Sequence, residues 1–327
     1  MTSMTMKKTT ILAAATLLLS ARAFAQEKKP DPKFYIFLCF GQSNMEAGAR
    51  PEEQDKGPVD ERFRMLATVD MPKLNRQMGR WYVATPPLNR PENGMGPVDF
   101  FGRTMVANLP REYRVGVINV SVAGARIELW EKDSYASYLE KAPPWMKNIC
   151  KQYGDNPYKR LVEMAKIAQQ DGVIKGVLLH QGESNPNDED WCKKVKGIYD
   201  NLMKDLGLKP EDVPLLAGEL KSAEEGGRCA GFNSAVLANL PRVVPNAYII
   251  SSRGCKGIRD GFHFSAAGFR ELGKRYAIRM LKCLGLEAKA PAAASLGMYP
   301  ETLEIASGGA PGRAAAASTG HHRPGSP

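Results

Sequence analysis

The chain has 327 residues, 43% hydrophobic and 24% charged, which suits one large globular domain or two small ones. The formal charge is +10, but lysines and arginines alternate with acids, as in EKKPDPK and KRLVEMAK. No basic stripe with interleaved aromatics stands out, so nucleic acid is not an expected partner and the excess charge reads as solvated surface.

The N-terminus reads as an export signal. Lys7 and Lys8 precede an apolar run, Ile11 to Leu19, shorter than the roughly 20 residues a bilayer span takes. Ala23-Phe24-Ala25 fits a small-x-small cleavage site, so residues 1–25 are expected to be removed. Losing Lys7, Lys8 and Arg22 with them lowers the formal charge to +7. The expected location is secreted or periplasmic, with no membrane contact after cleavage. Six cysteines (Cys39, Cys150, Cys192, Cys229, Cys255 and Cys283) permit disulfides in an exported chain. Their spacing is long and irregular, with no CxxC, so a metal site is not expected and the pairing stays open. Cys39, inside an apolar run, reads as a buried thiol.

From Phe34 onward, apolar runs alternate with amphipathic stretches. Residues 34–40 (FYIFLCF) predict a buried strand. Residues 51–97, rich in Pro, Gly and Met, read as a long loop. A helix is predicted over 98–109 and a strand over 115–121. A helix over 158–170 leads to a strand over 173–180. A helix from Trp191 leads to a strand over 213–220. A helix over 232–240 precedes a strand over 247–252, and a last helix starts at its cap, Ser265. Strands alternating with helices predict an α/β fold, a central five-stranded parallel sheet covered on both faces. Residues 26–288 are expected to form this domain. Residues 289–327 turn to Ala, Gly, Ser and Pro and are expected to be a disordered tail.

In such sheets chemistry gathers at the carboxyl ends of the strands. Those ends hold Gly41-Gln42-Ser43-Asn44, Ala123-Gly124, Gln181-Gly182-Glu183, and the loop with Asp260 and His263. A serine nucleophile at 43 needs a base, usually histidine. The chain has only four: His180, His263, and His321 and His322 in the tail. The base is therefore His263 or His180. Asp260 stands three residues before His263 and can hold its imidazole; His180 has only Glu183 nearby. Candidate oxyanion donors are the N–H groups of Ser43 and Gly124 and the Gln181 side chain, each typically worth 100- to 1000-fold in rate.

The blocks Gly41-Gln42-Ser43-Asn44-Met45, Ala123-Gly124 with Ile127 and Trp130, Gln181-Gly182-Glu183 and Asp260-Gly261-Phe262-His263 resemble those of the SGNH (GDSL) hydrolases. The nearest resemblance is to the sialate O-acetylesterase-like group, which includes the acetylxylan esterases of carbohydrate esterase family 6. It spans about residues 34–285. It implies a flavodoxin-like three-layer sandwich, no cofactor or metal, and removal of acetyl groups from acetylated plant polysaccharide or oligosaccharide. It also implies Ser43 as nucleophile, His263 as base, Asp260 as its orienter, and Gly124 and Gln181 in the oxyanion hole. The chain departs from the family in two places. Ala123-Gly124-Ala125 stands where Gly-Gly-Thr is frequent, and Gln-Gly-Glu replaces a Gly-x-Asn-Asp block. Glu183 and Asn185 are expected to brace loops. Trp81, Trp145 and Arg126 are candidate substrate contacts, with structural packing or surface charge as the plainer reading; Arg76 and Arg80, like Arg126, could meet carboxylates of a glucuronate-bearing xylan or a sialic acid, with surface charge again the plainer reading. Three rivals are an esterase for sialate or another acyl group, an inactive carbohydrate-binding module, and a lipase. The last lacks the Gly-x-Ser-x-Gly elbow.

Overall fold

The computed structural model describes residues 29–286. The expected signal, 1–25, and the expected tail, 289–327, lie outside them. The longest strands are β1 (Phe34–Gly41), β4 (Arg114–Ser121) and β5 (Val173–His180). Shorter ones are β2 (Phe63–Leu66), β3 (Trp81–Val83), β6 (Leu215–Gly218) and β7 (Ala247–Ile250). They form one sheet in the order β3-β2-β4-β1-β5-β6-β7, parallel except for β3 against β2. Two strands, β2 and β3, therefore lie inside the stretch that reads as a loop. Each is too short to leave a periodic signal, and both extend the sheet at one edge.

The helices are α1 (Ser43–Glu46), α2 (Pro97–Asn108), α3 (Tyr135–Lys141), α4 (Pro144–Gln152), α5 (Pro157–Ala168), α6 (Trp191–Leu206), α7 (Gly231–Ala235), α8 (Leu240–Val243) and α9 (Ala266–Cys283). The single helix expected over 232–240 is broken into α7, a 3-10 turn and α8; Pro241 sits in the first turn of α8, where its missing N–H costs nothing. Helix α2 packs on α9, while α5 packs on β4, β1 and α6. The central strands are apolar along their length because both faces are covered, as β1 shows with only Tyr35 less than buried. Among the described residues no helix is long and apolar enough to cross a membrane.

The topology fixes where chemistry can occur. Strand β1 lies between β4 and β5, with Gly41 in register with both Ser121 and His180. The chain fills one side of the sheet before β5 and the other side after it. The carboxyl end of β1 is thus the point where strand order reverses, the place where sheets of this kind bind their ligands.

Candidate active site

Strand β1 ends at Gly41 because no side chain fits there. Its φ is +150°, and a Cβ would lie 2.1 Å from the His180 carbonyl oxygen. The chain then turns through Gln42 into α1, with Ser43 as the first helical residue. Ser43 Oγ lies 2.8 Å from His263 Nε2, and His263 Nδ1 is hydrogen-bonded to Asp260 Oδ2. Asp260 Oδ1 accepts the backbone N–H groups of Phe262 at 2.8 Å and His263 at 2.9 Å. Burial pushes the Asp260 carboxyl up, but those two N–H groups and the His263 ring outweigh it and hold it at about 2. An ionised Asp260 keeps a proton on Nδ1 and leaves the Nε2 lone pair facing the Ser43 hydroxyl.

The backbone N–H groups of Ser43, which opens α1, and of Gly124, in the loop after β4, have no hydrogen-bond partner among the described residues. Gly124, just past β4, has φ +65°, a conformation that glycine adopts without strain. Its carbonyl accepts the Ser184 hydroxyl at 2.9 Å, which fixes the peptide. Gln181 does not join them. Its Nε2 donates to Asn185 Oδ1 at 2.7 Å, Gln42 Oε1 at 3.0 Å and the Ala125 carbonyl at 3.2 Å. Its Oε1 accepts the Trp191 indole N–H. The side chain is consumed in holding loops together and has no N–H to spare for an oxyanion.

The residues on either side of Ser43 do work that the sequence does not announce. Asn44 Nδ2 donates to the Phe262 carbonyl at 3.0 Å and to Glu183 Oε1 at 2.6 Å. Its Oδ1 accepts the Phe264 N–H at 3.3 Å. Asn44 thus grips the chain on both sides of His263, and buried Glu183, its carboxyl raised by that burial, holds Asn44. Gln42 Oε1 accepts the N–H groups of Gly182 at 3.3 Å and Ser184 at 3.2 Å besides the Gln181 amide. Asn185 accepts the Ile127 N–H at 2.9 Å and donates to Glu128 and Asp188. Lys194 bridges those two acids. Burial pushes Glu128 up, but Lys194, Arg126 and Asn185 outweigh it and hold it at about 2.

The remaining candidates scatter. His180 is buried, with its Nδ1 3.4 Å from the Tyr276 hydroxyl, and burial lowers it to about 3. It is packed against Phe264 rather than Ser43. Trp81 sits at the other pole of the sheet: its ring is 4.8 Å from that of Phe34, at the start of β1, about 23 Å of strand away from Gly41 at roughly 3.3 Å per residue. The expectation that it lines the crevice is corrected, because its place follows from the antiparallel pairing of β3. Trp145, by contrast, stands against Gly124. Arg126 is engaged with Glu128 and with the Ser184 carbonyl at 3.1 Å, so it braces loops. Arg76 is buried, not surface charge, and donates to the carbonyls of Thr85 and Pro87, both at 2.7 Å. All six cysteines are unpaired. Among the described residues, no three His, Cys, Asp or Glu side chains gather to hold a metal ion.

The family model for carbohydrate esterases described as sialic acid-specific acetylesterases matches residues 33–282. The chain belongs to that family. It is a hydrolase of the carbohydrate acetylesterase type with an SGNH fold. Solved structures agree on the fold. A protein from Arabidopsis thaliana is 22% identical over 77% of this chain and 99% of its own, with a TM-score of 0.57. A carbohydrate acetylesterase from Xanthomonas citri is 18% identical over 76% of this chain and 56% of its own, with a TM-score of 0.53. NanS is 16% identical over 79% of this chain and 99% of its own, with a TM-score of 0.56. The matched residues include Ser43, Asp260 and His263.

Proposed function

We propose that the protein removes O-acetyl groups from carbohydrates through an acyl-enzyme on Ser43, with acetylated xylan as its substrate. The observation that carries this is the unbroken line from Ser43 Oγ through His263 to Asp260. His263 Nε2 takes the Ser43 proton as Oγ bonds to the acetyl carbon. The carbonyl oxygen becomes an oxyanion that accepts from the N–H groups of Ser43 and Gly124. As the carbonyl re-forms, the bond to the sugar oxygen breaks and His263 gives that oxygen its proton. Water, deprotonated by His263, then attacks the acetyl-serine, releasing acetate and restoring the serine hydroxyl. Asp260 keeps the imidazole in one tautomer and offsets its charge. The export signal read at residues 1–25 supports a secreted or periplasmic enzyme acting on plant polysaccharide.

A second substrate reading has its own support. Arg228 and Arg259 are exposed on the segments around His263, and neither has a carboxylate partner among the described residues. Arg228 donates its backbone N–H to the Gly261 carbonyl at 2.9 Å and stacks over Phe262. Two uncompensated guanidinium groups, one of them stacked over the residue before the base, favour an acidic sugar, such as an O-acetylated sialate. Acetate release from acetylated xylan and from O-acetylated sialic acid, by the purified protein and by Ser43→Ala, separates the readings. Release from xylan that the variant abolishes supports the first, and release from sialate alone supports the second. Sugar binding without acetate release would make the protein a binding module and overturn both.

A further inference from the structure

The triad explains how an ester is cut but not how the sugar is gripped. Trp130 and Trp191 are fully buried, and Trp81 lies at the far pole. Trp145 is 51% exposed, although sinking such a ring removes about 150–250 Å² from water. It is not on a loose tip. Trp145 is the second residue of α4, entered through Pro143 and Pro144. The N–H groups of Met146 and Lys147 both reach the Pro143 carbonyl, at 3.0 and 3.1 Å. Met146 is buried, and its Sδ accepts the Tyr138 hydroxyl at 3.5 Å. That hydroxyl in turn accepts the Arg126 N–H at 3.0 Å. Trp145 is therefore fastened to the loop that follows Gly124.

Its position is specific. A Cβ on Gly124 would lie 2.8 Å from Trp145 Cη2. The tip of the indole thus lies against the glycine whose N–H is left unpaired among the described residues. The indole N–H has no partner among the described residues. An ester oxygen accepting from Gly124 would sit about 2.7–3.1 Å from that nitrogen, so the acetyl-bearing ring itself comes up against the indole. A pyranose presents a face of C–H groups rimmed by hydroxyls. That chemistry matches an exposed aromatic face with one free N–H donor at its edge.

We infer that Trp145 is the stacking platform for the acetyl-bearing pyranose, set on the oxyanion glycine so that the bound ring is aligned with Ser43. The inference rests on the esterase reading and deepens it. It holds for neutral and acidic sugars alike, because both have the same C–H face.

The test compares a sugar ester with an ester that has no ring. Acetate release from an acetylated methyl β-xylopyranoside and from ethyl acetate is measured for the wild type, Trp145→Ala and Trp145→Phe. The platform predicts a KM for the pyranoside raised about tenfold in Trp145→Ala, equivalent to about 1.4 kcal/mol. Trp145→Phe recovers most of it, and kcat/KM on ethyl acetate stays near the wild-type value in both. Equal losses on the two esters would make Trp145 a prop for Gly124 and overturn the inference. Unchanged kinetics on both would overturn it as well, leaving the exposed ring to some other contact. If the wild type cuts neither ester nor O-acetylated sialic acid, the esterase reading fails separately. The platform is then judged by indole fluorescence: a change on adding methyl β-xylopyranoside to Ser43→Ala should vanish in Ser43→Ala/Trp145→Phe, and its persistence or absence throughout would reject the platform.

Discussion

Asn44→Ala isolates the grip on the base. The change leaves Ser43, His263 and Asp260 in place chemically. It removes hydrogen bonds to the Phe262 carbonyl, from the Phe264 N–H and to the Glu183 carboxylate. At about 1 kcal/mol for each neutral bond and about 1.5–3 for the one to a carboxylate, the loss is roughly 3.5–5 kcal/mol. That is at or below the usual 5–15 kcal/mol of total stability, so the variant should still fold at 25 °C. Melting should fall by roughly 7–20 °C, at 2–4 °C per kcal/mol for a domain of this size. The catalytic effect has a different origin. Freed on both sides, His263 drifts from Ser43, and a shift of about 1 Å costs on the order of 100-fold in kcat. The assay is acetate release well below the melting temperature, with melting followed by circular dichroism. Glu183→Gln is the control: it keeps an acceptor for Asn44 and should retain kcat close to the wild type. A melting loss in Asn44→Ala with full kcat would refute the reasoning, since the His263 loop would then be positioned by something else.

Asp260→Asn should cut kcat by about 10,000-fold with little change in melting, the scale seen when a triad loses its orienting carboxylate; activity within tenfold of wild type would remove Asp260 from the mechanism. Gly124→Ala forces a side chain into φ +65° and into the Trp145 ring, costing about 1–2 kcal/mol of left-handed backbone before any clash; kcat should fall more than melting does. Glu128 is held at about 2, below the ordinary 4.5, so it adds stability above pH 4.5 that is lost as pH falls toward 2. Urea titrations at pH 7 and pH 3 should show Glu128→Gln less stable than wild type at pH 7, with the gap narrowing at pH 3. The unpaired cysteines predict that a reductant leaves the melting temperature unchanged; a clear drop would reveal a disulfide.

What could be read from the sequence divides along physical lines. Strand β1 announced itself because seven apolar residues in a row fit a doubly covered strand, and Gly41 marked its end. The base could be narrowed to two residues because the chain has so few histidines. The partners of the triad were harder to read. Asn44 meets Phe262 across 218 residues, and nothing local to either hints at it. Gln181 looked like a donor to substrate, but its direction is set by Trp191, Gln42 and Asn185, which only the folded loops bring together. Trp81 looked like a cleft aromatic because its segment reads as loop; the three-residue edge strand that carries it to the other pole is too short to show periodicity.

The central claim is that Ser43 is a nucleophile driven by His263. The direct measurement is to treat the purified protein with a fluorophosphonate probe and map the adduct by peptide mass spectrometry. The account predicts a single adduct, on Ser43, whose rate of formation collapses in His263→Ala although that variant stays folded. An unlabelled Ser43 in folded protein, or labelling that is as fast without His263, would contradict it.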